Sequence, residues 1–129
     1  FNDTYGHVAG DRCIVMIAAS LNRALRRMTA VTARYGGEEF VCILPGADPA
    51  TAKQVAEEIR RQVNALQIPH ESSKVGPCVT VSIGVASARC TGETTPERWI
   101  AEADKQLYLS KVAGRDRSIA TEFEVPCLG

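Results

Sequence analysis

Gly36-Gly37-Glu38-Glu39 sets two adjacent glycines directly before two adjacent carboxylates. Glycine has no Cβ, so a ligand can come close to the backbone there. A carboxylate beside such an approach can face the ligand. The string sits between two strand-like runs. Val31, Ala33 and Tyr35 alternate with Thr32 and Arg34 before it, and Phe40-Val41-Cys42-Ile43-Leu44 is a short apolar run after it. A Gly-Gly pair between such runs predicts a two-residue hairpin turn, because both turn positions tolerate positive φ. Glu38 and Glu39 then follow the tip, and strand alternation sends them to opposite faces. On residue types alone, a solvated hairpin end accounts for the pair as well. Carboxylates about 5 Å apart repel by roughly 1 kcal/mol in water and about 3 kcal/mol at an effective dielectric near 20, which a surface tolerates.

Two other stretches place polar groups at regular spacing. Near the start, Asn2-Asp3-x-x-Gly6-His7-x-x-Gly10-Asp11 is rich in glycine and polar residues and predicts a loop. Helix periodicity begins after Asp11, which is placed to cap that helix. His7, taken alone, fits a structural role. Near the end, Ala103-Asp104-x-x-Leu107-Tyr108-x-x-Lys111-x-x-Gly114-Arg115 runs to a helix end at Gly114, a C-terminal capping position. Lys111 and Arg115 flank that end, where basic residues complement the helix dipole.

The elements that must position these groups follow from periodicity. Ile14, Ile17, Ala18, Leu21, Ala24, Leu25 and Met28 make one apolar helical stripe. The hairpin comes next. Asp48 and Pro49 predict the cap and first turn of a helix whose stripe is Ala52, Val55, Ala56, Ile59, Val63 and Leu66. Its charges, Lys53, Glu57, Glu58, Arg60 and Arg61, read as a solvated outer face. Pro69 to Pro77 is a polar loop. Val79, Val81, Ile83 and Val85 alternate with Thr80, Ser82 and Gly84 as a half-buried strand. After a loop from Ala88 to Thr94, Thr95-Pro96 opens a last helix, with Trp99, Ala103 and Leu107 stacked on its core side. Ser118 to Phe123 predicts a final edge strand, and residues 124–129 read as a tail. Helix, strand, strand, helix, strand, helix, strand is the order of a two-layer α+β sandwich. One strand added in front would make it βαββαβ, the ferredoxin-like arrangement.

Composition narrows the partners. The 129 residues suffice for a single domain, residues 1–129, with a core of its own. Fifteen basic and fifteen acidic residues cancel, which argues against DNA, RNA or an anionic membrane surface as partner. A phosphate ligand then has to be held by a few placed charges. No apolar run reaches the roughly 18 residues that span a bilayer, so no direct membrane insertion is expected. No signal peptide is visible. Five widely spaced cysteines form no Cys-x-x-Cys pair, so neither zinc nor a disulfide framework is expected. Cys13 and Cys42 fall in apolar patterns as small core residues, and a cytoplasmic, reducing compartment is the simplest.

The string Ala33-Arg34-Tyr35-Gly36-Gly37-Glu38-Glu39-Phe40 resembles the signature of the GGDEF family of diguanylate cyclases, in the variant with Glu as its third letter. The first and last stretches above are similar to two further motifs of that family, in the same order. The resemblance runs from Phe1 to about Ser118. It implies the ferredoxin-like core related to nucleotidyl cyclases and polymerase palm domains. It implies a homodimer in which two facing subunits each hold one GTP. Each ribose 3′-hydroxyl would attack the α-phosphate of the other nucleotide, releasing cyclic di-GMP and pyrophosphate. Magnesium (or manganese) would neutralise phosphate charge. Residue by residue, the resemblance implies that Asn2 and Asp11 bond the guanine edge and that Gly36 and Gly37 let the phosphates pass. It implies that Glu38 binds metal and that Lys111 and Arg115 hold the β- and γ-phosphates. Glu39 would either support the metal or help deprotonate the hydroxyl, and both roles stay open. Such a set suits phosphoryl transfer, which needs positioning, metal and cationic clamps.

Two departures qualify the resemblance. The chain starts at Phe1, inside the first motif, whereas the family has a strand just upstream that carries an Asp ligand for magnesium. The sequence is therefore expected to be an N-terminally truncated domain. The family's Arg-x-x-Asp product-inhibition motif is here Arg27-Met28-Thr29-Ala30, so Arg27 remains and the Asp is replaced by Ala30. The alternative to an enzyme is a degenerate module of the same fold that binds GTP or cyclic di-GMP without turnover.

Overall fold

The computed structural model describes residues 2–36, 39–69, 78–89 and 95–123, with residues 2–11 described by backbone alone. Seven elements follow in the expected order: α1 (Asn2–Ala24), β1 (Val31–Gly36), β2 (Glu39–Ile43), α2 (Pro49–Ala65), β3 (Ile83–Ser87), α3 (Pro96–Val112) and β4 (Ser118–Glu122). The loops at 70–77 and 90–94 and the tail at 124–129 lie outside the described residues.

β1 and β2 pair antiparallel from Val31 opposite Ile43 to Gly36 opposite Glu39, with a register shift between Arg34 and Gly36. β3 and β4 pair parallel from Ile83 opposite Ser118 to Ser87 opposite Glu122. Parallel strands need a crossover connection, and α3 supplies it. Among the described residues the strands therefore form two separate two-stranded sheets. The core joins them. Leu21 of α1 packs with Ile59 and Val63 of α2, and Phe40 and Cys42 of β2 and Ile83 of β3 close around them. A second cluster holds Cys13, Ile68 and Val79. Cys13 is thus a buried core residue, as its apolar pattern predicts.

α2 and α3 start where local chemistry puts them. Asp48 accepts from Thr51 N at 2.7 Å and Thr95 from Arg98 N at 3.2 Å, each followed by a proline in the first turn. Ala52, Ala56, Ile59 and Val63 are the buried stripe of α2.

Three expectations need correction. Residues 2–11 are not a loop, and Asp11 is inside α1, not at its cap. Gly6 and Gly10 lower helix stability by about 1 kcal/mol each relative to alanine, but they do not forbid helical backbone. The strand expected at Val79–Val85 is Ile83–Ser87, because a ladder forms only where a partner runs alongside. Val79 instead donates its N–H to Ile68 O at 2.7 Å, next to an isolated bridge between Pro69 and Cys78. Gly36 is the last paired residue of β1 and not a turn residue. Among the described residues, no helix is long and apolar enough to cross a membrane.

Candidate functional site

The hairpin presents the first group. Glu39 opens β2 opposite Gly36 and is exposed, while the next residue, Phe40, packs into the core. Strand alternation produces that division, so Glu39 is free to meet a ligand. Gly37 and Glu38 lie outside the described residues. Among the described residues, no group of three or more His, Cys, Asp or Glu side chains forms a metal cage. Magnesium does not require one, since it binds through one or two carboxylates plus substrate phosphates and water. The donor type of the Glu38-Glu39 pair fits that ion.

The end of α3 presents the second group. α3 lies directly on β3 at Gly84, where an added Cβ would collide with backbone atoms of Ala103 and Leu107. Its last turn carries Lys111, which is exposed. The chain then turns through three successive positive φ angles, +128° at Gly114, +63° at Arg115 and +47° at Asp116. Gly114 is therefore the helix-ending residue the sequence predicts. Fully buried Ser110 donates to Arg117 O at 2.7 Å and takes Arg115 N on its own carbonyl at 3.0 Å. Lys111 and Arg115 end as exposed cations, and neither head group bonds a partner among the described residues. Arg27 is exposed just after α1, and Ala30 is half-buried.

A third set of charged side chains lies across from the end of α3. The charged face of α2 reads as solvated, yet three of its side chains reach across to the turn after α3 and the first residue of β4. Lys53 Nζ donates to Ser118 O at 2.5 Å and to Ser118 Oγ at 2.6 Å. Ser118 Oγ in turn donates to Glu57 Oε1. Arg60 bonds Glu57 Oε2 through Nε at 3.2 Å and Nη2 at 3.1 Å. Its Nη1 donates to Asp116 O and Asp116 Oδ1, both at 2.5 Å. The Ser118 hydroxyl holds the Glu57 carboxyl below the usual carboxylate range, with Arg60 and Lys53 adding to it and partial burial opposing. The spacing 53, 57, 60 puts these three on one helical face, which is the only sequence signal for the set.

Asn2 and Asp11 both lie in α1, two and a half turns apart, with side chains outside the described part. Glu39 sits on one sheet; Lys111 lies in the last turn of α3, the helix that covers the other, and Arg115 just after it. Among the described residues, no hydrogen bond or ion pair joins these groups directly.

Comparison with known proteins supplies the family. The model described as "Diguanylate cyclase, GGDEF domain" matches residues 1–117. Diguanylate cyclase A of Treponema denticola is 38% identical over 125 residues, 97% of this chain and 33% of that protein. The response regulator PleD of Caulobacter vibrioides is 37% identical over 115 residues, 89% of this chain and 25% of that protein. The chain thus spans a third or less of these curated relatives. The crystal structure of the coiled coil and GGDEF domain of DgcB from Caulobacter crescentus, in complex with c-di-GMP, superposes with a TM-score of 0.77 at 32% identity, over 93% of this chain and 62% of that one. Motifs, fold and matches agree: the chain belongs to the GGDEF family of diguanylate cyclase domains.

Proposed function

We propose that this chain is a single domain, residues 1–129 with a tail at 124–129, that condenses two GTP into cyclic di-GMP and two pyrophosphates as a cytoplasmic homodimer. The observation that carries the reading is the pair of exposed cations at the end of α3, Lys111 and Arg115, which bond no partner among the described residues, in a chain whose total charge is zero. Placed charges in a neutral chain suit a polyphosphate held at one point. The name of DgcB's bound ligand supports the product class.

In this reading Lys111 and Arg115 hold the β- and γ-phosphates, and Gly36 and Gly37 leave room for the phosphates to pass the hairpin. Each ribose 3′-oxygen forms a bond to the α-phosphorus of the partner's GTP, its proton leaves, and the bond to pyrophosphate breaks. Glu38 binds magnesium (or manganese), and Glu39 supports the metal or accepts the proton. When bound, the metal neutralises charge on the phosphates. Asn2 and Asp11 bond the guanine edge. For both to reach one base, α1 has to open before Asp11, and Gly6 and Gly10 make that the easiest place. Arg27, with Ala30 beside it in place of an acid, makes at most a weak remote site for product.

The test is Glu38→Gln in the full-length protein. Synthesis of cyclic di-GMP should stop, while GTP still binds. Parental turnover in the variant would overturn the role of Glu38. GTP binding without turnover in the parent would favour a degenerate binding module.

A further inference from the structure

We infer that Arg60 is a positioning residue for Arg115 and so sets how strongly the domain separates a nucleoside triphosphate from a monophosphate. The inference rests on the reading of Lys111 and Arg115 as the phosphate clamp.

Arg115 and Asp116 are consecutive non-glycine residues in the left-handed region, with φ of +63° and +47°. L residues seldom adopt that backbone, and a pair in succession persists only where its surroundings hold it. From the α3 side, the turn is held through Ser110, which bonds Arg115 N and Arg117 O. Arg117 Nε also bonds Arg115 O at 3.0 Å within the turn. Across the molecule, the grip on Asp116 comes from Arg60, which takes both its carbonyl and its carboxylate. Arg60 is itself fixed on its other edge by Glu57, and Glu57 by Ser118. A planar guanidinium held at both edges is a rigid strut, which a lysine cannot reproduce.

The same contact governs charge. The Asp116 carboxylate is one residue from Arg115. Paired with Arg60, it is held away from the Arg115 guanidinium, and its repulsion of an incoming phosphate is offset. Without Arg60, Asp116 competes with the ligand for Arg115, and the left-handed turn loses its hold from α2. Both effects fall on the phosphates and spare the base.

The experiment compares GTP and GMP binding by calorimetry in the full-length protein for Arg60→Met, Arg60→Lys, Arg115→Ala and the Met/Ala double variant. Arg60→Met should lose about tenfold in GTP affinity, the scale of one charged hydrogen bond, with GMP affinity within about twofold. Arg60→Lys should fall between Arg60→Met and the parent. The double variant should bind GTP no more weakly than Arg115→Ala, because Arg60 acts through Arg115. If Arg115→Ala weakens GTP and Arg60→Met does not, the positioning role is wrong and the clamp stands. If Arg115→Ala leaves GTP binding unchanged, the clamp reading itself fails. Equal weakening of GTP and GMP in Arg60→Met would mark a merely structural role and overturn the inference. Should Arg60→Met not fold, Arg60→Lys decides by the same ratio, and an unchanged ratio overturns it.

Discussion

Gly84→Ala tests whether α3 is seated as closely on β3 as the structure places it. The added methyl would meet Ala103 O and Leu107 N inside van der Waals contact, and Gln106 C at 2.9 Å. All three are backbone atoms, so no side-chain rotamer relieves the clash. Ordinary carbon contacts lie at about 3.5–4.0 Å, so α3 must retreat by roughly 1 Å along this face. Overpacking a fitted core destabilises by about 1–3 kcal/mol, and a rigid backbone wall puts this site at the upper end. At about 4 °C per kcal/mol, Tm should fall by roughly 10–12 °C. Thermal unfolding followed by circular dichroism measures it, with Gly46→Ala as comparison. Gly46 has φ +76° but nothing within 4 Å of an added Cβ, so only backbone strain of about 1 kcal/mol applies. α3 carries Lys111 and leads into Arg115, so the same retreat should weaken GTP binding. A Gly84→Ala protein that melts within about 2 °C of the parent, or no lower than Gly46→Ala, would refute the close seating.

One further outcome follows from a contact and one from the sequence. The Glu57 carboxyl is held below its ordinary value of 4.5, first by the Ser118 hydroxyl; a depressed folded value means its stabilisation is present above the unfolded value and is lost as pH falls through the folded one. Tm of the parent should therefore decline on acidification below about pH 4.5 more steeply than that of Glu57→Gln, by a small amount because the group is 39% exposed, and parallel profiles would show the contact contributes nothing. Ala30→Asp restores an acceptor near Arg27 and should raise cyclic di-GMP affinity by roughly 10- to 150-fold at a site GTP does not compete for; tight GTP-insensitive binding already in the parent, lost on Arg27→Ala, would contradict this.

What the sequence made legible is what is decided locally. The starts of α2 and α3 were readable because Asp48-Pro49 and Thr95-Pro96 carry their own cap and first turn. Gly114 was readable for the same reason, since a positive φ at a helix end selects for glycine. The bounds of β3 were not. Val79 and Val81 alternate as well as Ile83 and Val85 do, but only the latter pair has β4 beside it. The beginning of α1 is not legible, because glycine spacing signals a break in propensity, and propensity is a weak prior beside the whole helix. Glu39, Lys111 and Arg115 stand in the family motif, and in the structure they are exposed residues that the core does not require.

Arg60 and Arg61 show where reading residue types stops. They are adjacent arginines on one helix, each three residues after a glutamate, and each pairs with it: Arg60 with Glu57, Arg61 with Glu58. By spacing alone the two are equivalent surface ion pairs, worth little to stability. The structure separates them. Arg61 is 72% exposed and ends at its glutamate. Arg60 is 21% exposed and continues to Asp116, 56 residues along the chain. The difference comes from a turn of the helix: one arginine points along the seam between α2 and the segment after α3, and its neighbour, rotated by about 100°, points to water. A charge run on a helix therefore has to be divided residue by residue against what packs beside it. Here that division separates a solvated pair from a cation whose removal should be felt at the phosphates.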